Sequence, residues 1–168
     1  MSPAHRRATA AAGIAYVLLA GAESLDILGM PGPDGPAADV VAAYTGNRAL
    51  LLVQALCGAV SLVAYVVFAA GLTRLVRDAG ARGAWPRLLL AAGIGGPLLG
   101  GIGQVAQFVL VSRGPDGIRD DPQGALDLHA FDLRIQAAGA LFIALLLLSA
   151  GVAGHRTGAL PGWAAGAR

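Results

Sequence analysis

Apolar residues dominate four long stretches of the chain, and each is long enough to cross a membrane as a helix. A hydrocarbon core of about 30 Å needs about 20 apolar residues in helical conformation. The four stretches cover residues 8–30, 49–76, 88–111 and 129–153. We therefore predict an all-α, polytopic membrane protein. We expect residues 1–168 to form a single membrane domain, a four-transmembrane-helix bundle.

Three polar segments rich in glycine and proline separate these stretches. They are residues 31–48, 77–87 and 112–128. Neither the helical period nor the alternation of a strand persists in them, so we predict that all three are loops.

The composition supports lipid as the solvent of this chain. Hydrophobic residues make up 56% of it and charged residues only 13%, and its mean hydropathy is +0.66. One small soluble core cannot cover so much apolar surface. The sequence contains no P-loop, dinucleotide fingerprint, HExxH or GxSxG motif, so the familiar soluble enzyme classes have no support.

The arginines predict the orientation, because the chain has no lysine and basic residues favour short cytoplasmic loops. Both termini are then cytoplasmic, and nine of the ten acidic residues lie on the opposite side. The pI of 9.2 reflects a basic inner face, so we expect no nucleic-acid partner. Richness in alanine, arginine and glycine indicates a high-GC bacterium. Together with the four predicted spans, this predicts a multi-pass protein of the bacterial inner (plasma) membrane. The inner arginines are Arg6, Arg7, Arg74, Arg77, Arg82, Arg87, Arg156 and Arg168.

The first stretch also resembles a secretory signal. His5, Arg6 and Arg7 precede an apolar run, and Ala20-Gly21-Ala22 before Glu23 resembles a small-residue cleavage site. The apolar run resumes as far as Met30, so we predict that the span is retained.

Polar side chains inside the predicted spans form the candidate site. A charge near the bilayer centre costs about 2.5 to 3.5 kcal/mol, so such residues usually face other helices or a wet cavity. We expect acid-base chemistry from Glu23, Asp26, His129 and Asp132, and ligand contacts from Gln54, Gln104, Gln107 and Gln136. Their positions predict one depth in the outer half of all four spans.

A structural explanation competes with this site. Arg134 can form ion pairs with the carboxylates and fix the order of the helices. His129 is expected at the water boundary, as a solvated or capping residue. Cys57 is the single cysteine, and a single histidine in the candidate site supplies too few ligands for a metal or haem. We therefore expect no metal or cofactor.

The third span carries a glycine-rich face around Gly96 and Gly100. This small-xxx-small spacing favours close helix packing, either within the chain or with a second copy or a partner membrane subunit. Pro97 predicts a kink, which leaves a gating hinge or a broken-helix binding site as the alternative.

A resemblance appears after the fourth span, where Leu160-Pro161 precedes Trp163. With the long first outer loop and the acidic residue in span one, this element resembles uncharacterised actinobacterial integral membrane proteins of a six-span, DUF-type family. There it leads into two further spans. The resemblance therefore implies a four-span variant or a partner that completes the bundle. It brings no catalytic residues, because the family has no assigned mechanism.

Two functions remain open. The first is a binding or scaffold subunit, or a carrier, whose outer polar cluster holds helices together or accommodates a small polar or cationic ligand; the excess of carboxylates favours a cation. The second is a membrane-embedded cyclase or isomerase, with a carboxyl as general acid or base on a lipophilic, isoprenoid-like substrate.

Overall fold

The described part of the chain is helical. The computed structural model describes residues 2–24 and 30–158, without the side chain of Ser24, and these residues contain no strand. Of these described residues, 89% are helical. In order, the helices are α1 (Pro3–Ser24), α2 (Ala37–Gly46), α3 (Arg48–Asp78), α4 (Ala84–Ser112), α5 (Gly114–Asp120) and α6 (Pro122–Thr157).

Three of these helices, α3, α4 and α6, are long and apolar enough to cross a membrane. Large apolar side chains are exposed along all three, for example Val60, Leu98 and Leu141. Exposed apolar surface of this extent is unfavourable in water and is typical of lipid-facing helices. The predicted first span, residues 8–30, includes residues 25–29, which lie outside the described residues, and its residues 8–24 form part of α1.

The second predicted loop contains the turn between α3 and α4, but the prediction that the first and third polar segments are loops was wrong. The first predicted loop contains α2, and the third contains α5 and the first turns of α6. At the start of α6, the Gly124 amide donates to Asp121 Oδ1 at 2.9 Å, and Pro122 begins the helix. An aspartate cap followed by proline is a known helix start. Short helices also escape periodicity analysis because each shows only one or two buried positions.

The chain divides into two compact units, each with its own core. The first unit contains residues 1–16, 63–98 and 139–168. Its core is rich in small side chains such as Ala69, Ala92, Ala150 and Ala153, which allow helix backbones to approach closely.

The second unit contains residues 17–62 and 99–138. Here a single apolar core joins α2 and α5 to parts of the longer helices. Val40 and Tyr44 of α2 contribute to it, as does Ile118 of α5. Because Val40 and Tyr44 are four residues apart, they lie on the same face of α2.

The glycine-rich face of α4 packs against α3 within each unit. In the first unit, a Cβ at Gly96 would lie 3.1 Å from the Tyr65 hydroxyl, and in the second, one at Gly100 would lie 2.8 Å from Leu62. The Tyr65 hydroxyl also donates to the carbonyl of Ala92 at 3.3 Å. These contacts match the close-packing alternative for this face. α4 continues through Pro97 as one helix.

Candidate functional site

The candidate site lies in the second unit, where side chains from four helices meet. Glu23 comes from α1, Gln54 from α3, Gln104 from α4, and Asp132 and Gln136 from α6. We call these five residues the amide–carboxyl cluster. All five were predicted from the sequence as site residues.

Glu23 is held by two glutamines. Gln104 Nε2 donates to Glu23 Oε1, and Gln54 Nε2 donates to the main-chain carbonyl of Glu23 at 2.9 Å. The approach of Gln104 depends on Gly58, because a Cβ there would overlap its carboxamide. One glutamine therefore orients the carboxylate, and the other holds the backbone near the end of α1.

Asp132 is buried and has its own amide donor. Its side chain is 4% exposed, and Gln136, one turn later on α6, donates from Nε2 to Asp132 Oδ1 at 2.9 Å. Gly103 gives the carboxylate room against α4, since a Cβ there would lie 2.6 Å from Asp132 Oδ1. Asp132 is also close enough for its charge to act on Glu23.

His129 is buried by other residues of the chain, so the expectation of a solvated side chain was wrong. It is 2% exposed. Its Nε2 lies 2.9 Å from the carbonyl of Pro31, and its Nδ1 lies 3.2 Å from the Tyr44 hydroxyl. A carbonyl can only accept, so the proton of a neutral ring is on Nε2, and the Tyr44 hydroxyl donates to Nδ1. Pro31 follows the first predicted span, and Tyr44 belongs to α2. Hydrophobic periodicity could not predict that either would contact His129.

Tyr44 is the site residue that sequence reasoning missed. It is buried beside His129, with the two rings edge to face and their centroids 5.7 Å apart. Burial raises the pKa of the Tyr44 hydroxyl well above its usual value, and the charge of Asp132 raises it further. The available signal was the Val40–Tyr44 spacing in a segment predicted to be a loop.

Two amide oxygens on α4 lack a hydrogen-bond donor. They are Oε1 of Gln104 and Oε1 of Gln107, both buried and without a partner among the described residues. Gln104 must direct its nitrogen to the carboxylate of Glu23, because the reverse orientation would bring two acceptors together. The amide oxygen of Gln104 is therefore left without a hydrogen-bond donor among the described residues.

Arg134 does not neutralise the buried carboxylates. It pairs with Asp34, with Arg134 Nη2 and Asp34 Oδ1 3.3 Å apart and both side chains largely exposed. In the described ranges, no ion pair involves Glu23 or Asp132. The expectation that Arg134 pairs with the carboxylates in the predicted spans therefore finds no support in these contacts.

Two surface cavities flank this arginine. One, of about 530 Å³, lies between the 33–35 segment and α6. The other, of about 420 Å³ and more apolar, includes Met30, Leu133 and Ala137 in its wall. Neither is lined by Glu23, Gln104 or Asp132.

Asp26, the remaining predicted acid, lies outside the described residues, as do Leu160, Pro161 and Trp163, which carry the family resemblance. Within residues 2–24 and 30–158, no group of three His, Cys, Asp or Glu side chains is arranged to hold a metal ion.

The fold and the cluster together define a helical protein with three helices able to cross a membrane and a partly buried group of amides and carboxyls in one unit. No family of proteins, curated protein or solved structure matches the chain.

Proposed function

We propose that this protein is a membrane-embedded binding subunit or carrier and that its amide–carboxyl cluster binds a small cation. The surplus of hydrogen-bond acceptors carries the proposal. The amide nitrogens of Gln54, Gln104 and Gln136 are all used on oxygens of the chain itself. The oxygens of Gln104 and Gln107 remain without a donor in the described part of the protein.

Electrostatics supports the same ligand class. Glu23 and Asp132 interact through their charges, and within the described residues their carboxylates accept hydrogen bonds from amides rather than from guanidinium groups. A buried carboxylate is unfavourable without a compensating charge. A bound cation, including a proton, supplies the positive charge that the arginines do not.

The donor set favours a hard monovalent cation or a small alkylammonium ion. Carboxylate and amide oxygens suit hard cations. An alkylammonium ion would supply N–H donors to the same oxygens. A transition metal is less well matched, because the described residues around the cluster include one histidine and no set of three ligating side chains.

Thermal unfolding of the purified full-length protein tests this proposal. The unfolding midpoint is compared in sodium, potassium, methylammonium and N-methylglucamine chlorides at constant ionic strength. A cation that binds the folded state raises the midpoint in proportion to the logarithm of its concentration. We expect such a rise with at least one of the three small cations and not with bulky N-methylglucamine.

Neutral variants localise the effect. Glu23→Gln and Asp132→Asn keep the side-chain shape and remove the charge, so each should abolish the cation-dependent rise. Asp116→Asn is the matched control because this exposed aspartate pairs with Arg119 outside the cluster, and it should retain the rise. An identical midpoint in all four salts would refute cation binding.

A lipophilic-substrate enzyme remains the second candidate, favoured by the absence of an ion pair to Glu23 and Asp132 among the described residues. A carboxyl without a basic partner in an apolar setting suits general acid catalysis. Mass spectrometry of lipid extracts separates the two. Cells that express the wild type should contain an isomerised or cyclised isoprenoid product that is missing with Asp132→Asn. Extracts that do not differ, at equal expression and thermal stability, would exclude this candidate.

A further inference from the structure

The first unit carries a concentration of arginine at the ends of its helices. These residues belong to the start of α1, the end of α3, the following turn, the start of α4 and the end of α6, and all are exposed. In the described part of this unit the only acidic side chain is Asp78. We call this surface the basic end; it consists of Arg6, Arg7, Arg74, Arg77, Arg82, Arg87 and Arg156.

Contacts within the unit bring these residues together. Arg6 of α1 and Arg74 of α3 both lie close enough to Asp78 for their charges to act on it. Trp85 of α4 packs against the unit's core, and Arg156 of α6 lies over its ring. No ion pair within the described residues neutralises Arg87 or Arg156.

Arg156 is oriented by an aromatic contact. Its guanidinium carbon lies 5.7 Å from the centroid of the Trp85 ring, within the range of a cation–π interaction. A guanidinium has five N–H donors, and a contact with the ring at this distance leaves several of them free to donate. Their fork geometry matches two oxygens of a phosphate group.

Apolar surface continues from this position. Leu90 is 46% exposed and lies three residues after Arg87, so both share one face of α4. Leu147 and Leu148 of α6 are also exposed. A ligand with a phosphate beside long apolar chains fits this combination, whereas a phosphorylated soluble protein would leave the apolar part uncovered.

We propose that the basic end binds the headgroup of an anionic phospholipid, with the phosphate at the guanidinium edge of Arg156 beside Trp85. The inference is independent of any ligand of the amide–carboxyl cluster, since it uses residues of the other unit.

Fluorescence quenching measures this binding directly. The chain has two tryptophans, so Trp163→Phe makes Trp85 the single reporter. The full-length variant is reconstituted in vesicles of mixed phosphatidylglycerol and phosphatidylcholine, with one or the other lipid brominated. We expect brominated phosphatidylglycerol to quench Trp85 with about a five-fold higher relative affinity, the effect of roughly one basic residue at an anionic surface.

Variants and salt locate the source of that preference. Arg156→Gln should reduce the affinity ratio of phosphatidylglycerol to phosphatidylcholine to near unity. Arg156→Lys should retain part of the preference, because the charge remains although the planar, two-pronged guanidinium is lost. Arg119→Gln removes an exposed arginine of the second unit and should leave it unchanged. Added salt should weaken the preference in the parent protein. Equal quenching by both lipids, insensitivity to salt, or an undiminished preference in Arg156→Gln would overturn the proposal.

Discussion

Gly58→Ala tests whether the hydrogen bond between Gln104 and Glu23 depends on the space left by the missing side chain at Gly58. A Cβ at Gly58 would lie 2.7 Å from Gln104 Oε1, far inside van der Waals contact. The carboxamide must then leave the carboxylate of Glu23. A hydrogen bond to a charged group contributes about 1.5 to 3 kcal/mol. Replacing glycine by alanine inside a helix returns about 1 kcal/mol, so we expect a net loss of about 0.5 to 2 kcal/mol of unfolding free energy.

Gly151→Ala is the matched control. Gly151 lies inside α6, and a Cβ there meets no heavy atom of the described residues within 4 Å. The same substitution should therefore stabilise the protein by about 0.5 to 1 kcal/mol. Reversible unfolding in mixed micelles, followed by circular dichroism, measures both changes.

A double-mutant cycle then isolates the clash. Gln104→Ala removes the side chain that an alanine at position 58 would displace. In that background, Gly58→Ala should be neutral or stabilising, which gives a clear coupling energy between the two positions. If Gly58→Ala costs the same with and without Gln104, or if it behaves like Gly151→Ala in the wild type, the reasoning is refuted.

Three further predictions concern the same unit. Tyr44 holds its proton in the folded state because its pKa is raised, so the unfolding free energy should fall as pH rises above about 10, the usual tyrosine pKa. Tyr44→Phe should make this fall less steep, and an equally steep fall in the variant would contradict the prediction. Asp34→Ala breaks only the exposed pair with Arg134, so chemical unfolding should change by less than about 1 kcal/mol, and a larger loss would show that the pair is structural. Gly103→Ala should lower the thermal unfolding midpoint because the added Cβ displaces the carboxylate of Asp132. In an Asp132→Ala background the same substitution should lower the midpoint less. An equal loss with and without Asp132 would argue against the contact.

The sequence predicted the long helices well because lipid imposes a simple requirement on them. About 20 apolar residues must be helical to satisfy their backbone in a bilayer, and α3, α4 and α6 meet this requirement. The bounds of α3 and α4 lie within four residues of the predicted spans, whereas α6 begins at Pro122, seven residues before its predicted start. The polar residues inside them were also found, since charges and amides are conspicuous against leucine and alanine.

The partners of those residues could not be predicted. Gln104 reaches Glu23 because Gly58 is small, which is a property of a helix pair rather than of either helix. His129 is buried because Tyr44 and the carbonyl of Pro31 contact it, and both belong to a segment without clear periodicity. Side-chain partners depend on tertiary contacts that hydropathy does not encode.

The length of α6 affects how a ligand could reach the cluster. Its 36 residues span about 54 Å at 1.5 Å per residue, well beyond a hydrocarbon layer of about 30 Å. A layer centred on its leucine-rich stretch covers only about 20 residues, roughly 135–155. A layer placed there would leave His129 and Asp132 at the depth of the phospholipid headgroups. A hydrated ion could approach them sideways between headgroups and shed its water in steps, without entering the acyl chains.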